Sequence, residues 1–222
     1  FLNDAINREN IEKSSSDYRL KHLTELIGNH PSMDVESAAA ILRDQKGINN
    51  KDIGMGNEKA LNQLIAHHSV IFKPSKLQVW ISTNPFQLGP YICYDLNHVF
   101  NIAPGLKEKK ELYEKQLTLP ADPFLTSTGF KKFKAYKQMR EAFQFAHRYK
   151  LNPELDEKII NGFINCNPEY FETYVLLGTY FKDQQQQARA VNYYQQALTK
   201  EITTVQDKEE IEKSIKELKE KT

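Results

Sequence analysis

The chain has 222 residues, and its 30 Lys and Arg against 29 Asp and Glu give a formal net charge of +1. Hydrophobic residues make up 40% of the sequence and aromatic residues 11%, which is enough for a folded core and excludes wholesale disorder. The near-neutral charge provides no general attraction to nucleic acid or to acidic membranes. No apolar run approaches the roughly 18 residues that cross a bilayer, so no membrane span is expected.

Two short helices are predicted in the first quarter of the chain, after a polar stretch over residues 1–16. The first runs from about Asp17 to Gly28, because its apolar residues step by three and four: Leu20, Leu23, Leu26 and Ile27. The second covers Val35 to Leu42 and ends in a polar loop over residues 44–52.

Residues 60–95 are rich in β-branched and aromatic side chains, which predicts three strands. Apolar runs lie at 64–65, 70–72, 77–81 and 91–94. Pro74 fits a tight turn, so the first two strands should form an antiparallel hairpin, with residues 85–90 as a looser connection to the third. Alternation places Trp80 on the face opposite to Leu77, Val79 and Ile81, and we expect its ring to contact a second sheet or the wall of a substrate pocket.

After Gly105 the sequence predicts helices almost to the end, interrupted at Pro120 and Pro123. Two helix starts share one design: Asn152-Pro153-Glu154 and Asn167-Pro168-Glu169 each combine an N-cap residue, a Pro and an acid. Their repetition suggests stacked helices. A final helix carries Val205, Ile211, Ile215 and Leu218 beneath many Lys and Glu residues, which is typical of a solvated capping helix.

Residues 131–150 are the one strongly basic stretch, with seven Lys and Arg residues against Glu141. Apolar residues recur there at helical spacing: Phe133, Tyr136, Met139, Phe143 and Ala146. This pattern predicts an amphipathic helix that buries its aromatic stripe and solvates its cations, so we expect no nucleic-acid partner.

The following helices carry large and small residues at the spacings of a packed antiparallel pair: Tyr174, Leu177, Gly178, Phe181, Ala190, Tyr194 and Ala197. These positions resemble one tetratricopeptide repeat, except that Ile202 stands where the repeat usually has Pro. No second clean copy is visible, and residues 128–166 are at most a degenerate one.

Common catalytic signatures are missing from the sequence, and no metal or cofactor is expected. The Gly54-Met55-Gly56 run predicts a flexible loop. Cys93 and Cys166 stand alone, which favours core thiols over a zinc site or a disulfide. His67 and His68 are consecutive residues at the start of a predicted strand, so they point to opposite faces and cannot readily share a metal. One of them should face inward, either as a core histidine or as part of a substrate cleft.

Five runs carry a resemblance to a known enzyme family: Leu42-Arg43-Asp44, Asn57-Glu58-Lys59-Ala60, Ala66-His67-His68-Ser69-Val70-Ile71-Phe72, Val79-Trp80-Ile81-Ser82 and Tyr94-Asp95-Leu96. Over residues 17–130 the sequence resembles the later part of the autoproteolytic acyltransferases and amidases of penicillin acyl-transferase type. The resemblance implies an α+β fold of N-terminal-nucleophile type, in which two antiparallel sheets lie between helical layers (an αββα sandwich). Bacterial members with a helical, repeat-containing tail are similar to the whole chain.

In that family an exposed N-terminal cysteine attacks an amide or thioester, and its α-amino group acts as the base. Because this sequence begins with Phe1, we expect the nucleophile to lie upstream and no catalytic residue to lie in this chain; Cys93 is not a substitute. The resemblance implies that residues 1–126 belong to the hydrolase domain and residues 127–222 form an α-helical, tetratricopeptide-like tail.

The expected contribution of this chain is a wall of the acyl pocket, with His68, Trp80 and Asn84 as candidate residues near the strand ends at 82–90. Its expected partners are the missing N-terminal portion or subunit of the same precursor and a small acyl substrate. A removed upstream signal would place the protein in the bacterial periplasm or at the cell surface, so the compartment stays open. The alternative hypothesis is a non-catalytic interaction module that binds a peptide through its helical repeats, although solenoids typically need about three or more units.

Overall fold

A computed structural model describes residues 4, 9–11, 13–108, 110–151 and 153–220, and within them the chain has an α+β fold. A three-stranded antiparallel sheet is preceded by helices at Ser16–Gly28 and Val35–Leu42 and followed by a helical region. Phe1, on which the upstream-nucleophile hypothesis depends, lies outside the described residues.

The two predicted helices before the sheet are confirmed as α1 (Ser16–Gly28) and α2 (Val35–Leu42). The Asp34 carboxylate caps α2 by accepting a hydrogen bond from the Ser37 backbone N–H at 2.7 Å. Helix α1 is anchored through His22, whose ring lies 2.8 Å from the Asp44 carboxylate. The polar loop that follows α2 is therefore attached to α1.

The three predicted strands are also confirmed, as β1 (Val70–Lys73), β2 (Gln78–Ser82) and β3 (Tyr91–Asp95) in the order β1-β2-β3. The hairpin turn is a 3-10 turn over Pro74–Lys76, and Leu77 completes it with a positive φ of 52°. Leu77 therefore belongs to the turn and not to the strand. The apolar run at 64–65 forms no strand. There the Leu64 backbone N–H donates to the Asn62 side chain at 2.9 Å, which holds this segment in an irregular conformation.

The two faces of the sheet have different surroundings. Ile71, Trp80 and Cys93 share one face, which packs against α2 and Leu119. On this covered face the Trp80 indole N–H donates to the Leu117 carbonyl at 2.8 Å. The expected contact of Trp80 with a second sheet is therefore wrong for the described residues, because α2 and residues 117–119 already occupy that side.

The other face, which we call the open face, carries only apolar side chains and Tyr94: Val70, Phe72, Val79, Ile81, Ile92 and Tyr94. Phe72 is 69% exposed and Ile81 38% exposed. No described element covers these two side chains.

After β3 comes a short helix α3 (Leu96–Ile102), and the predicted helix beyond Gly105 is absent from the described part of residues 106–127. This segment runs beside β3 instead, where Tyr91 and Leu119 exchange backbone hydrogen bonds of 3.1 and 3.0 Å. Pairing with a sheet edge outweighs the modest helical propensity of the Lys- and Glu-rich stretch.

The described residues after position 127 form five α-helices with short connections: α4 (Thr128–Arg148), α5 (Glu157–Cys166), α6 (Phe171–Asp183), α7 (Gln187–Leu198) and α8 (Val205–Lys219). The first part of the predicted apolar stripe of α4 is buried, since Phe133 and Tyr136 are almost fully inaccessible, whereas Met139, Phe143 and Ala146 are only half-buried. Ile211 and Leu218 of α8 are buried and Ile215 packs against the same core, whereas Val205, the first residue of the predicted stripe, is exposed.

Both predicted Asn-Pro-Glu helix starts are wrong. Asp156 caps α5 by accepting from the Ile159 backbone N–H at 2.8 Å, and Asn152 lies outside the described residues. Helix α6 begins at Phe171, because the buried Asn167 side chain is used elsewhere.

Asn167 binds the loop that contains Met55. Its side-chain oxygen accepts from the Met55 N–H at 2.9 Å, and its amide donates to the Met55 carbonyl at 2.8 Å. Gly54 has a φ of +83°, and a Cβ there would lie 2.4 Å from the Tyr170 backbone. The glycine-containing loop is thus packed tightly against the helical region, in contrast to the flexible loop that was predicted.

The tightest helix contact joins α6 and α7. A Cβ on Gly178 would lie 2.8 Å from the Tyr194 ring, and Ala190 is completely buried. The Tyr194 hydroxyl is 3.0 Å from the Thr179 hydroxyl, so even the polar end of this ring is satisfied. Small residues on both helices allow this close approach.

We predict that Ala190→Leu lowers the free energy of unfolding by about 1 to 3 kcal/mol, because the larger side chain overpacks the α6–α7 contact. Urea denaturation followed by circular dichroism measures the change. As a control, Lys216→Ala on the exposed side of α8 should change stability by no more than about 0.5 kcal/mol. Equal losses for the two variants would contradict the packing described above.

Candidate functional site at the strand ends

The structure places the three candidate pocket residues in different environments. His68 is exposed just before β1, and Asn84 is exposed just after β2. These two positions lie at the same end of the sheet, because β1 and β2 are antiparallel and Ser69 bonds to Ser82. Trp80 is 3% exposed and lies inside the covered face.

His67 is exposed as well, so the expectation that one histidine of the pair faces inward is wrong. Both residues precede β1, where strand alternation does not apply. Neither is therefore a core histidine, and of the two roles considered only the lining of a substrate cleft is compatible with their exposure.

A buried hydroxyl network connects the three strands beneath this end of the sheet. The Ser69 backbone N–H donates to the Ser82 hydroxyl at 2.7 Å, and the Ser69 hydroxyl bonds to that of Tyr91. Burial raises the pKa of Tyr91, although Ser69 and Arg43 act in the opposite direction. The phenol therefore stays protonated at neutral pH and serves as a hydrogen-bonding group, not as a base.

Arg43 fixes this network from the side of α2. Its guanidinium carbon lies 4.8 Å from the centre of the Tyr91 ring, a cation–π contact. The same guanidinium donates to the carbonyls of Gly89 at 2.8 Å and Pro120 at 2.9 Å. One side chain thus joins α2, the loop before β3 and the segment beside β3.

The loop over residues 83–90 is held firmly, and Asn84 is carried on it. Thr83 donates its N–H to the Pro90 carbonyl at 2.9 Å and accepts from Gly89 at 3.1 Å. A Cβ on Gly89 would lie 2.3 Å from both the Thr83 hydroxyl and the Asn84 carbonyl, so no other residue fits. Asn62 and Gln87 add hydrogen bonds between this loop and its neighbours, to the Phe86 and Leu42 carbonyls. The loop therefore presents the exposed Asn84 amide from a fixed backbone.

The sequence reasoning missed Arg43, Asn62, Gln87 and Tyr91 as supports of this site. Their partners are backbone carbonyls and a buried ring contributed by segments far away in sequence, and such contacts leave no local pattern. The Gly89-Pro90 pair was the one available signal, since it marks a tight turn.

Cys93 lies at the centre of β3 and is fully buried, as expected of a core thiol. Burial, followed by the negative charges of Glu114 and Asp95, raises its pKa from 9.0 to about 11. Cys166 is half-buried, and burial raises its pKa too. Because the thiolate is the reactive form, neither cysteine is activated for nucleophilic attack.

The described residues hold no group of three His, Cys, Asp or Glu side chains able to bind a metal ion. Within the same ranges, none of the helices has the length and apolar character that crossing a membrane requires. No family model matches the chain, and no curated protein or solved structure matches it either.

We predict that Cys93 is unreactive while the protein is folded. In a Cys166→Ser variant at about pH 7, iodoacetamide should modify the folded protein at least ~100-fold more slowly than the same protein in concentrated guanidinium, since well below both pKa values a pKa higher by two units lowers the thiolate fraction by that factor. The raised pKa also means that the protonated thiol favours folding below pH 9 and that this contribution is lost as the pH rises toward about 11. Similar rates in both states would restore Cys93 as a candidate nucleophile.

Proposed function

We propose that this chain is the C-terminal part of a cysteine N-terminal-nucleophile amide hydrolase or acyltransferase, which acts on an acyl amide or a thioester. Its nucleophile comes from the N-terminal portion of the same precursor. The observation that carries the proposal is the incompletely covered sheet, because Phe72 and Ile81 on its open face are exposed, although Val79 on the same face is buried. The resemblance of residues 17–130 to that enzyme family is the second line of support.

The open face has the composition of a buried surface. A sheet whose two faces are both apolar normally lies between two layers, and here α2 and residues 117–119 supply one. A second sheet packed on Phe72 and Ile81 would supply the other and complete an αββα sandwich. No described strand pairs with the outer edge of β1 either, whereas residues 114–119 bond to the opposite edge of the sheet at β3.

The proposed chemistry requires an N-terminal thiol, and Cys93 and Cys166 are both internal residues. In the proposed reaction a terminal thiol attacks the acyl carbon, the α-amino group takes the thiol proton, and this proton passes to the departing amine or thiol. Water or an acceptor amine then cleaves the resulting thioester. The buried, protonated Cys93 cannot begin this sequence.

His68 and Asn84 would form part of the acyl pocket in this proposal. Both are exposed at one end of the sheet, and Asn84 is carried on the rigid 83–90 loop. An amide on a fixed backbone can donate a hydrogen bond to an acyl oxygen and loses only its side-chain rotamer freedom on binding. Trp80 would support this wall from behind.

We propose further that α6 and α7 form one tetratricopeptide-like unit, with α8 as its cap. The contact between Gly178 and the Tyr194 ring supports this assignment, because the repeat brings its two helices together at small residues. The alternative function, a peptide-binding module, is favoured by the extensive separate core of the helical region, which joins residues of α4 to α8.

We predict that the chain alone does not hydrolyse penicillin-type or N-acyl amino acid substrates, and that Cys93→Ser changes nothing in this assay. Co-expression with the upstream part of the precursor should produce activity, which mutation of a cysteine at the new N-terminus should abolish. Turnover by the isolated chain that is lost in Cys93→Ser would overturn the assignment of the nucleophile. Inactivity of the complete precursor on acyl amides and thioesters would favour the interaction module.

A second prediction concerns the open face. Phe72→Glu should reduce self-association of the isolated chain and should prevent its association with the upstream portion, because a carboxylate cannot be buried there without a partner. Phe100→Glu is a matched control, since Phe72 and Phe100 are both 69% exposed and Phe100 lies on α3. Analytical ultracentrifugation measures both effects. Identical behaviour of the two variants would show that the open face has no covering partner.

A further inference from the structure

A cavity lies between the loop that follows α2 and the helical region, and its volume is about 450 Å³. The charged side chains that line it are Arg43, Asp44, Lys46, Asp52 and Glu169. The residues that line it do not include the three candidate residues at the strand ends, so it is a separate site. We call it the α2-loop cavity.

Arg43 brings a buried hydrogen-bond donor to this cavity. Its Nη2 atom donates to two neutral groups, the carbonyls of Gly89 and Pro120. Its Nε–H is buried and has no acceptor among the described residues. A buried N–H without an acceptor is uncommon in folded proteins, and it marks a position where a bound molecule can supply one.

The carboxylates of the cavity already have partners of different strength. Glu169 pairs with the Lys200 ammonium at 3.0 Å, and both of its oxygens take part. Asp52 accepts from the Gly54 N–H at 3.1 Å, but its second oxygen lies 3.3 Å from the Lys46 ammonium and its side chain is 60% exposed. Asp52 is therefore the more available of these two carboxylates for a further cation.

The charges of the lining select the kind of molecule that fits. Asp44, Asp52 and Glu169 are three carboxylates against the two cations Arg43 and Lys46. A doubly charged anion such as phosphate would be repelled by this set, and a simple cation would leave the Arg43 Nε–H without an acceptor. A molecule that carries one carboxylate and one ammonium group satisfies both requirements.

The remaining walls of the cavity are partly apolar. Met55, Phe124 and Pro168 line it. The Met55 backbone is fixed by Asn167, and the Phe124 ring packs on Phe130 at 5.7 Å between ring centres. These side chains provide a preformed surface for an apolar group, and the volume is at the lower end of the range for small-molecule sites.

We propose that the α2-loop cavity binds a free α-amino acid with an apolar side chain. The carboxylate of the amino acid accepts a hydrogen bond from the Arg43 Nε–H, its ammonium group faces Asp52, and its side chain contacts Met55 and Phe124. This inference does not depend on the proposed enzymatic function.

Isothermal titration calorimetry on the full chain tests the proposal with three probes of the same shape. L-leucine should bind. L-leucinamide lacks the carboxylate and should bind at least ~10-fold more weakly, because a hydrogen bond to a charged group is lost at a buried donor. 4-Methylpentanoate lacks the amino group and should bind at least ~3-fold more weakly, a smaller loss because Asp52 is exposed. Absence of leucine binding, or equal binding of either analogue, would overturn the proposal.

A pair of variants tests the role of the Asp52 charge. Asp52→Asn keeps an oxygen for the Gly54 N–H and removes the charge, so it should weaken leucine binding at least ~3-fold and leave the affinity for 4-methylpentanoate unchanged. Asp17→Asn is the matched control, since Asp17 is also exposed and pairs with a lysine, Lys21, at 2.7 Å. Equal affinities of the two variants for leucine would contradict the assignment of Asp52.

Nuclear magnetic resonance of the unmutated chain locates the ligand without a variant that could unfold. The Arg43 Nε–H signal, assigned through its bonds to the backbone in protein labelled with ¹⁵N and ¹³C, should shift when L-leucine is added. A signal that stays unchanged at saturating leucine would show that the donor is satisfied by solvent alone, and the proposal would then be wrong.

Discussion

The fold depends on a polar connection between the loop that follows α2 and the helical region. Asn167 is 1% exposed, and its side-chain amide forms hydrogen bonds with both the backbone N–H and the backbone C=O of Met55. Farther along, the Glu201 carboxylate lies 2.8 Å from the Lys51 ammonium and 2.7 Å from that of Lys59. Burial tends to raise the pKa of Glu201, but its bonds to these two lysines outweigh burial and lower it. This carboxylate therefore stays ionised and keeps the loop attached.

This connection has consequences for how the chain divides into domains. The sequence suggested a boundary near residue 126, and α4 does begin just beyond it. However, residues 44–64 precede this boundary in the sequence and yet contact the helical region beyond it. The Asn57 side chain donates to the Glu201 carbonyl at 2.9 Å, and Leu64 packs with Phe133 of α4. An unpaired polar group in such a buried connection would cost about 1 to 3 kcal/mol, so the two parts stabilise each other.

Sequence patterns predicted the elements whose signals are local. Helices α1 and α2 follow from apolar spacing, and the hairpin follows from β-branched runs around Pro74. The patterns failed where a distant segment decides the outcome. Asn167 has the properties of an N-cap but bonds to Met55, 112 residues away in sequence. The Lys- and Glu-rich stretch after Gly105 has helix-forming composition, but its residues 114–119 bond to β3. Similarly, alternation correctly separated Trp80 from Val79 and Ile81, but it could not indicate which face is covered, because the cover comes from α2 and Leu119.

The unequal edges of the sheet affect the order in which the protein can assemble. Residues 114–119 protect the β3 edge, whereas the β1–β2 hairpin is built from contacts close in sequence, which form early. The free β1 edge and Phe72 are then exposed from the first stages of folding, when unpaired strand edges readily join other chains. Lys73 at the end of β1 is the sole charged residue of that strand and the one feature of its sequence that opposes such pairing. Production of this chain in cells should therefore be limited by aggregation of the nascent protein, long before the stability of its helical core becomes important.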